Sequence, residues 1–536
     1  MIPFLNSKGD TQKKRSYGVW LACCGCSFCI LVLTMLILYK KGDLEHDFFT
    51  YSCLGVTIGW FLFISCLSYY LLLSSKERKS AYYAFFFFLG ILVYLVLPVY
   101  TKPDDSHHAA SSYRLSNKIM DVSLEGGDMT TIRRKCDDRL EQVVTGAEYD
   151  GWRQMLFPTH KDYNTIGNWY CSPADTSLTV ARMTKYKPGA SLPYLWSALG
   201  ICLARCLRLN FGWAALFAAL VQLMVFAACN RYAMQRFQPG RGVFLMFSLL
   251  PITLQQVVSF SYEGMLFAAC VIVSAVAMTE LYEERPQYQW KDLLFYLFAI
   301  VNLVTVKSGL YMPLIFLPFW FRYLKLEKTK KKWIGIVVCM MCLLAFLLLI
   351  RSSLWQNIVL AYHYTYYNMY FEMYGKSIAY YVTHLKETIT IFLHTFQSQG
   401  ILYLRGMVGG FLGWRQNIII SSKIIGLIYI LLLLNSCNTT EEDVPVVKKK
   451  KLSLCPVLLI YILLTMFTML VRWSPPSPAY IEGVQGRYFL PVFLLILLVM
   501  RGIFPLRIHI QQKYLYLFLL LLDQLVFGAC IWMTCL

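Results

Sequence analysis

Charged residues are scarce in this sequence of 536 residues: Asp, Glu, Lys and Arg make up 15% of it, against 57% for the hydrophobic types. Soluble domains do not reach such a balance, so the composition excludes an ordinary soluble fold. Apolar runs of roughly 20 residues, the length that crosses a bilayer as a helix, recur along the chain. The sequence therefore predicts an all-α polytopic membrane protein.

Acidic residues are the scarcer of the two charged classes, with 30 Asp and Glu against 50 Lys and Arg. A formal charge of +20 can mark a nucleic-acid binder, but here the basic residues lie in short clusters between apolar runs, such as Lys76–Lys79 and Lys448–Lys451. Lys and Arg in such positions stay on the cytoplasmic side of a membrane. We therefore expect membrane lipids, and no nucleic acid, as partners.

Support for a zinc site is also weak. Many of the 18 cysteines lie inside apolar runs, where they behave as small hydrophobic side chains. Cys136 and Cys171 share a long polar interval. A disulfide between them is one alternative if that interval lies outside the cytoplasm, and two free thiols are the other.

About thirteen runs are predicted to span the membrane, with the N-terminus in the cytoplasm, because this orientation puts every strong basic cluster on the cytoplasmic side. A further stretch, Leu195–Leu209, is predicted to lie along the outer interface, since counting it as a span would move Arg231, Arg236 and Arg241 outside. The predicted spans are Val19–Tyr39, Tyr51–Leu73, Ala81–Tyr100, Trp213–Cys229, Val243–Phe260, Met265–Met278, Leu293–Val306, Leu310–Phe321, Ile334–Ile350, Ile418–Leu434, Val457–Val471, Tyr488–Val499 and Tyr514–Cys535.

These spans divide the chain into three parts. Residues 1–80 form two N-terminal helices, residues 81–505 form the transmembrane core, and residues 506–536 form a C-terminal helix. Two large extracytoplasmic loops interrupt the core: 101–193, which is expected to contain short helices, and 351–414.

The stretch Lys102–His108 opens the longest polar interval, directly after an apolar run. Asp104, Asp105 and His108 carry the groups that transfer protons or hold a metal, and such groups are costly to place near lipid. A solvated loop with a few acids is the plainer interpretation of this stretch alone.

Other polar residues are predicted to meet Asp104 on the outer face. Arg487 follows Gly483 and Gly486 where a span begins, and its planar guanidinium matches phosphate oxygens. Lys307 would be a second cation for a lipid phosphate, or else a residue whose amine reaches the headgroups from the end of a span. The remaining candidates are Glu263, Arg472, Glu482, Gln485 and Tyr488. No comparable polar set is predicted at mid-membrane depth, which favours a site at the outer leaflet boundary.

Four stretches carry a family resemblance. Ile481–Pro491, with the sequence IEGVQGRYFLP, resembles the closing signature of a bacterial membrane family, domain-of-unknown-function family 2142. In the same order, Pro103–His108 resembles that family's Pro-Asp-Glu-x-x-His, Leu250–Glu263 its Leu-Pro-Met…Ser-Tyr-Asp segment, and Gly410–Trp414 its Gly-x-Leu-Gly-Trp. Asp105 stands where the family usually has Glu, and Glu263 where it usually has Asp. The two N-terminal helices lie outside the resemblance.

The resemblance implies a fold and an activity, because the family is similar to the GT-C superfamily of polyprenyl-phosphate-sugar glycosyltransferases. It implies transfer of a sugar from a polyprenyl-phosphate lipid to a cell-surface polysaccharide, cell-wall polymer or lipid-linked glycan at the outer face of a bacterial cell membrane. In that superfamily the first extracytoplasmic loop carries a catalytic acid, which fits Asp104 and Asp105.

Each candidate residue then has an expected role. Asp104 would be the general base of an inverting transfer. Asp105 and His108 would orient this base or the acceptor, or bind a divalent cation with Asp104 if the reaction uses one. Arg487 and Lys307, with Gln485 and Tyr488, would hold the donor phosphate.

Two rival functions remain open. A flippase or transporter of lipid-linked glycans predicts charges at mid-membrane and paired broken helices, and the sequence suggests neither. A ligase or polymerase of lipid-linked glycans would differ in its donor, an oligosaccharide diphosphate.

Overall fold

The structure is a computed structural model. It describes residues 6–40, 48–73, 79–99, 101–102, 104–122, 130–137, 167–182, 192–334, 337, 340–341, 353–368, 372–413, 418–438, 452–501 and 510–534.

Helices make up most of the described chain, as the apolar composition predicts. They are α1 (Asn6–Lys40), α2 (Phe48–Leu73), α3 (Lys79–Val96), α4 (Asp105–Ile119), α5 (Leu195–Cys206), α6 (Phe211–Arg236), α7 (Arg241–Leu249), α8 (Pro251–Val257), α9 (Glu263–Tyr282), α10 (Trp290–Thr305), α11 (Leu317–Lys325), α12 (Ser353–His363), α13 (Ile378–Thr383), α14 (Leu385–Met407), α15 (Ser422–Cys437), α16 (Cys455–Trp473), α17 (Leu490–Met500) and α18 (Gln512–Thr534).

Within the described residues, seven helices are long and apolar enough to cross a membrane. They match seven of the thirteen predicted spans, so a polytopic helical membrane protein is confirmed. The spans are Ser16–Tyr39, Thr50–Leu73, Lys79–Val96, Phe211–Arg236, Glu263–Tyr282, Cys455–Trp473 and Gln512–Met533.

Two predicted spans are not single α-helices. The run Val243–Phe260 divides into α7 and α8 at Leu250, whose extended backbone (ψ 134°) precedes Pro251. Proline lacks the N–H that would continue α7, and it disfavours helical backbone in the residue before it. The run Leu310–Phe321 consists of a 3₁₀ turn, Met312–Phe316, and the start of α11. Most of the predicted span Ile334–Ile350 lies outside the described residues.

The predicted interfacial stretch Leu195–Leu209 is not among the seven helices long enough to cross a membrane. It contains α5, which packs along α6 after a connection of only a few residues, so the two helices form an antiparallel hairpin. Gly200 makes this possible, because a Cβ there would meet backbone atoms of Phe217 and Ala218. Small residues let helices approach closely. α5 is therefore packed against α6 and does not lie by itself at an interface.

The first polar interval contains a strand pair that the sequence analysis missed. β1 (Thr130–Arg134) pairs antiparallel with β2 (Leu178–Arg182), with Thr130 opposite Arg182. A buried Asp137 anchors this hairpin, accepting hydrogen bonds from the Tyr113 hydroxyl of α4 (2.5 Å) and from Arg134 Nε (2.6 Å). Residues 138–166, between the strands, lie outside the described part.

The structure decides between a Cys136–Cys171 disulfide and two free thiols. Both are free thiols, Cys136 buried and Cys171 exposed. The disulfide between them is therefore not formed.

The two N-terminal helices pack on the C-terminal helix. Ser27 of α1 donates a 2.8 Å hydrogen bond to Gln524 of α18, and Trp60 of α2 stacks on Phe527 with ring centroids 5.7 Å apart. Both ends of the chain therefore join one side of the bundle.

Candidate functional site

Three helix ends place charged side chains together at one end of the bundle. Glu263 is the first residue of α9, Arg487 lies in the 3₁₀ turn Gly486–Phe489 before α17, and Lys307 lies in the turn Val306–Gly309 after α10. The chain enters the bundle at Glu263 and at Arg487, and it leaves the bundle at Lys307. Alternation of spans puts such ends on the same side, and the structure brings their side chains into contact.

Glu263, Arg487 and Lys307 form a buried ion triad, which we call the triad below. Arg487 Nε lies 2.7 Å from Glu263 Oε2, and Lys307 Nζ lies 2.7 Å from Glu263 Oε1. The side chains of Glu263, Arg487 and Lys307 are 7%, 6% and 18% exposed, respectively. Removing one partner from such a group leaves a buried charge without compensation, so each member holds the others in place.

Gln485 and Tyr488 complete the surroundings of the two cations. The Gln485 side-chain oxygen accepts a hydrogen bond from Arg487, and Lys307 Nζ lies 3.4 Å from the centroid of the Tyr488 ring. Burial lowers the pKa of Lys307 to about 8, although the nearby Glu263 carboxylate opposes this shift. All four predicted phosphate-binding residues therefore lie together.

The stretch Lys102–Asp105 docks on the turn that leads into Glu263. Lys102 Nζ donates a hydrogen bond to the Val258 carbonyl, and Asp105 Oδ1 accepts one from the Phe260 N–H at 2.9 Å. Both side chains are buried, and burial lowers the pKa of Lys102 to about 8, with the Asp105 charge acting in the opposite direction. Asp105 thus links the first extramembrane helix to the triad.

Asp104 is exposed, unlike its neighbour Asp105. It lies close enough to Lys307 and Arg487 for its charge to act on both. Asp104 and Lys307 have φ values of 55° and 47°, a left-handed backbone that is uncommon outside glycine and that concentrates at functional sites. An exposed carboxylate therefore lies within electrostatic range of two held cations.

His108, Tyr194 and Tyr262 pack against one another next to Glu263. His108 Nδ1 lies 2.9 Å from the Tyr194 hydroxyl, and the His108 ring packs edge-on against Tyr262 at 4.8 Å. With these contacts, Asp104, Asp105 and His108 do not gather as metal ligands. Across the part of the chain that is described, no three His, Cys, Asp or Glu side chains form such a group.

The other stretches singled out in the sequence meet here as well. The Gly413 N–H donates a 2.8 Å hydrogen bond to Gln255 of α8, so Gly413 lies against the Leu250–Glu263 segment. Gly486 packs on the backbone of α14, where a Cβ would lie 2.7 Å from Met407 N. Trp414 is outside the described residues.

Two predicted site residues are not brought to the triad. Arg472 is exposed at the end of α16, with its guanidinium 5.2 Å from the centre of the Tyr366 ring. Glu482 is half-buried, its N–H donates to Ser474, and its carboxylate acts on Tyr480. Arg472 thus lies in the last turn of α16, and Glu482 lies on the connection from α16 to the 3₁₀ turn that carries Arg487.

Sequence reasoning gave no role to Lys102, Tyr194 or Tyr262. Lys102 had a visible signal, because a lysine followed by Pro103 directly after an apolar run is likewise costly near lipid. Tyr194 and Tyr262 had none, since aromatic residues are frequent throughout this chain.

The sequence analysis also overlooked Asp523 in the middle of α18. It is fully buried, and neither carboxylate oxygen has a hydrogen-bond partner among the described residues. An acid within an apolar run was visible in the sequence. It corrects the expectation that no ionisable residue lies at mid-membrane depth. The break between α7 and α8 is one broken helix and not the pair of broken helices that a transporter predicts.

Comparison with protein families matches residues 87–496 to a family described as "Predicted membrane protein (DUF2142)". No curated protein and no solved structure matches the chain.

Proposed function

The chain belongs to the DUF2142 family of membrane proteins, and from that premise we propose that it is a GT-C-like glycosyltransferase of a bacterial cell membrane. It transfers a sugar from a polyprenyl-phosphate lipid to a cell-surface polysaccharide, cell-wall polymer or lipid-linked glycan at the extracytoplasmic face. The observation that carries the proposal is an exposed carboxylate, Asp104, within electrostatic range of two cations that a buried Glu263 holds at a helix-bundle end.

The reaction is a single displacement at the anomeric carbon. An acceptor hydroxyl gives its proton to Asp104 as its oxygen bonds to that carbon, and the bond from the carbon to the donor phosphate oxygen breaks. Asp104 becomes neutral while the departing polyprenyl phosphate gains a negative charge. Base assistance of this kind contributes roughly 10²–10⁴-fold to a rate.

The triad supplies the electrostatic part of the mechanism. Two cations and one carboxylate leave one positive charge in a site largely closed to water, where preorganised charge is worth more than in solution. Arg487 and Lys307 contact the leaving phosphate, while Glu263 keeps both cations from turning away. Asp105 is a positioning residue, since its carboxylate holds the Phe260 N–H rather than facing the exposed side.

The test is sugar transfer by the purified protein reconstituted in liposomes with defined monophosphate and diphosphate lipid donors. Asp104→Asn keeps the shape and removes the base, so we expect transfer to fall by about 100-fold or more. Asp121→Asn is the matched control, because Asp121 is also exposed, has φ 54° and follows the other end of α4. Wild-type transfer by Asp104→Asn would rule out the proposed base, and activity with diphosphate donors alone would identify a ligase or polymerase.

A second candidate function, transport of a lipid-linked glycan, is favoured by two observations. Ionisable groups inside a membrane mark transport pathways, and the Asp523 carboxyl is such a group. Broken helices such as α7–α8 also line substrate sites in transporters. In a proteoliposome flipping assay with a fluorescent lipid-linked sugar, this function predicts movement that Asp523→Asn abolishes and Asp104→Asn leaves unchanged.

A further inference from the structure

A cavity of about 650 Å³ lies at the end of the bundle opposite the triad. Its rim includes Lys79, the first residue of α3, and Arg241, the first residue of α7. α3 is 18 residues long, about 27 Å, and it leads away from the cavity towards Lys102 and Asp105. The α7–α8 pair likewise runs from Arg241 to the turn before Glu263, so the two sites are separated by most of the bilayer thickness.

Four cations from four helices line this cavity: Lys79, Arg231 of α6, Arg241 and Lys513 of α18. None of its described lining residues is Asp or Glu. The Arg231 guanidinium lies 5.6 Å from the centre of the Tyr82 ring, which keeps it beside the cavity. Four cations around one concave site favour the binding of an anion there.

The lining changes from charged to apolar in the same order on three helices. Along α3 the cavity meets Lys79, then Tyr82, then Phe85; along α7 it meets Arg241, then Leu245 and Leu249. On α18 Lys513 is followed by Tyr516 and Leu520. These spacings of three and four residues put each set on one helix face. The cavity thus has a charged rim at the helix ends and an apolar wall that extends into the bundle.

We propose that this cavity binds an anionic phospholipid, with the headgroup phosphate among the four cations and an acyl chain along the apolar wall. Basic pockets between transmembrane helices recognise anionic headgroups in this way. Arginine forks suit phosphate oxygens, while the adjoining wall suits a hydrocarbon chain rather than a soluble anion. The site is independent of the proposed sugar transfer.

The helices outside the family match complete the site. The match begins at residue 87 and ends at residue 496, whereas Leu67, Tyr70 and Leu71 of α2 and Lys513 and Tyr516 of α18 line the cavity. The lipid therefore sits at the seam where the two chain ends join the core, and it stabilises that seam.

Native mass spectrometry of the purified full chain tests the proposal, with phosphatidylglycerol and phosphatidylcholine of identical acyl chains as probes. We expect the wild type to retain phosphatidylglycerol in preference, and the double variant Arg231→Gln/Arg241→Gln to bind it about 30-fold more weakly, since each surface cation contributes about a factor of five. Lys328→Gln/Lys332→Gln removes two exposed cations elsewhere in the chain and should leave the preference unchanged. The charge-conserving Arg231→Lys/Arg241→Lys variant should retain it and shows that the region folds.

Three results would overturn the assignment. Equal retention of the two lipids by the wild type would exclude recognition of the anionic headgroup. An unchanged preference in the Arg231→Gln/Arg241→Gln variant would exclude these cations. Displacement of phosphatidylglycerol by millimolar inorganic phosphate would identify a site for a soluble anion instead.

Discussion

Glu263 neutralises part of the charge on two cations at once, and this sharing explains how Arg487 and Lys307 tolerate burial. A guanidinium or an ammonium alone at this depth would cost several kcal/mol in lost hydration. The Glu263 carboxylate offers one oxygen to each, at 2.7 Å in both cases. The sequence analysis placed Glu263 among the site residues but did not foresee that it would hold both cations.

Glu263→Gln is expected to destabilise the protein by about 3–5 kcal/mol, because it leaves two buried cations without their carboxylate. The measurement is thermal unfolding of the purified protein in detergent. Glu327→Gln is the control: Glu327 pairs with Lys330 at 3.6 Å, but both side chains are largely exposed, and exposed pairs contribute little. Equal melting temperatures for the two variants would contradict the proposed importance of the triad.

The pH dependence of sugar transfer should report the protonation of Lys307. Burial lowers the pKa of this residue to about 8. Below that pH the ammonium is charged and can hold the donor phosphate; above it the amine is neutral and this attraction is lost. We therefore expect the transfer rate to fall as pH rises through about 8.

The matched variant for this pH effect is Lys307→Arg. A guanidinium stays protonated throughout this range, so the alkaline decline should move to higher pH. An unchanged decline in Lys307→Arg would assign it to another group.

At the scale of helices and turns, the position of Arg487 depends on how closely its turn approaches α14. Gly486 packs against Tyr403, Gly406 and Met407 without a side chain in between. Arg487 was a candidate from the sequence because it follows Gly483 and Gly486 where a span begins, but the helix on which its turn packs was not predicted.

Gly486→Ala should therefore displace the turn and with it Arg487. Its Cβ would meet the Tyr403 carbonyl oxygen and lie 2.7 Å from Met407 N, both backbone atoms that cannot rotate away. Overpacking of this kind costs about 1–3 kcal/mol, and we expect a matching fall in melting temperature together with weaker transfer.

Gly400→Ala provides the comparison, because Gly400 lies within α14 and a Cβ there meets nothing within 4 Å. Alanine favours a helix over glycine by up to about 1 kcal/mol, so this variant should be neutral or more stable. If both alanine variants behaved alike in thermal unfolding, close approach at Gly486 would not be what positions Arg487.

At the scale of the whole molecule, the two proposed sites lie in different parts of the bundle. The triad lies within the matched residues 87–496, whereas α1 and α2 pack with α18 as a layer at the side of the bundle. α18 joins this layer to the core through its contacts with α3, α7 and α15. The proposed lipid cavity lies where this layer meets the core. In the orientation that we propose, the two sites occupy opposite faces of the membrane, the triad on the outer face and the lipid cavity on the cytoplasmic face.

Epitope insertion tests this orientation in the full chain. A tag after Asp175, in the exposed segment before β2, should be labelled by antibody in intact spheroplasts. A tag after Lys328, in a strongly basic segment, should be labelled only after permeabilisation, because basic loops stay in the cytoplasm. The reverse pattern would put the triad on the cytoplasmic side and exclude a donor from the outer leaflet.

The sequence by itself determined the class of the protein and most of the residues of the site. Apolar length is a local property, so spans such as Lys79–Val96 and Glu263–Tyr282 followed directly from composition. Counting turns between spans put Asp104, Lys307 and Arg487 on one side. They were candidates because charged side chains near lipid are costly and mark functional sites.

Only the tertiary structure decided which of these residues touch. Arg487 and Glu263 are 224 residues apart in the chain, and no local pattern encodes the rotation of α9 and α17 that joins them. The same holds for the pairing of β1 with β2, for the packing of α5 on α6, and for the cavity between α2, α7 and α18. Each depends on the relative placement of whole helices, which side-chain packing across the bundle sets.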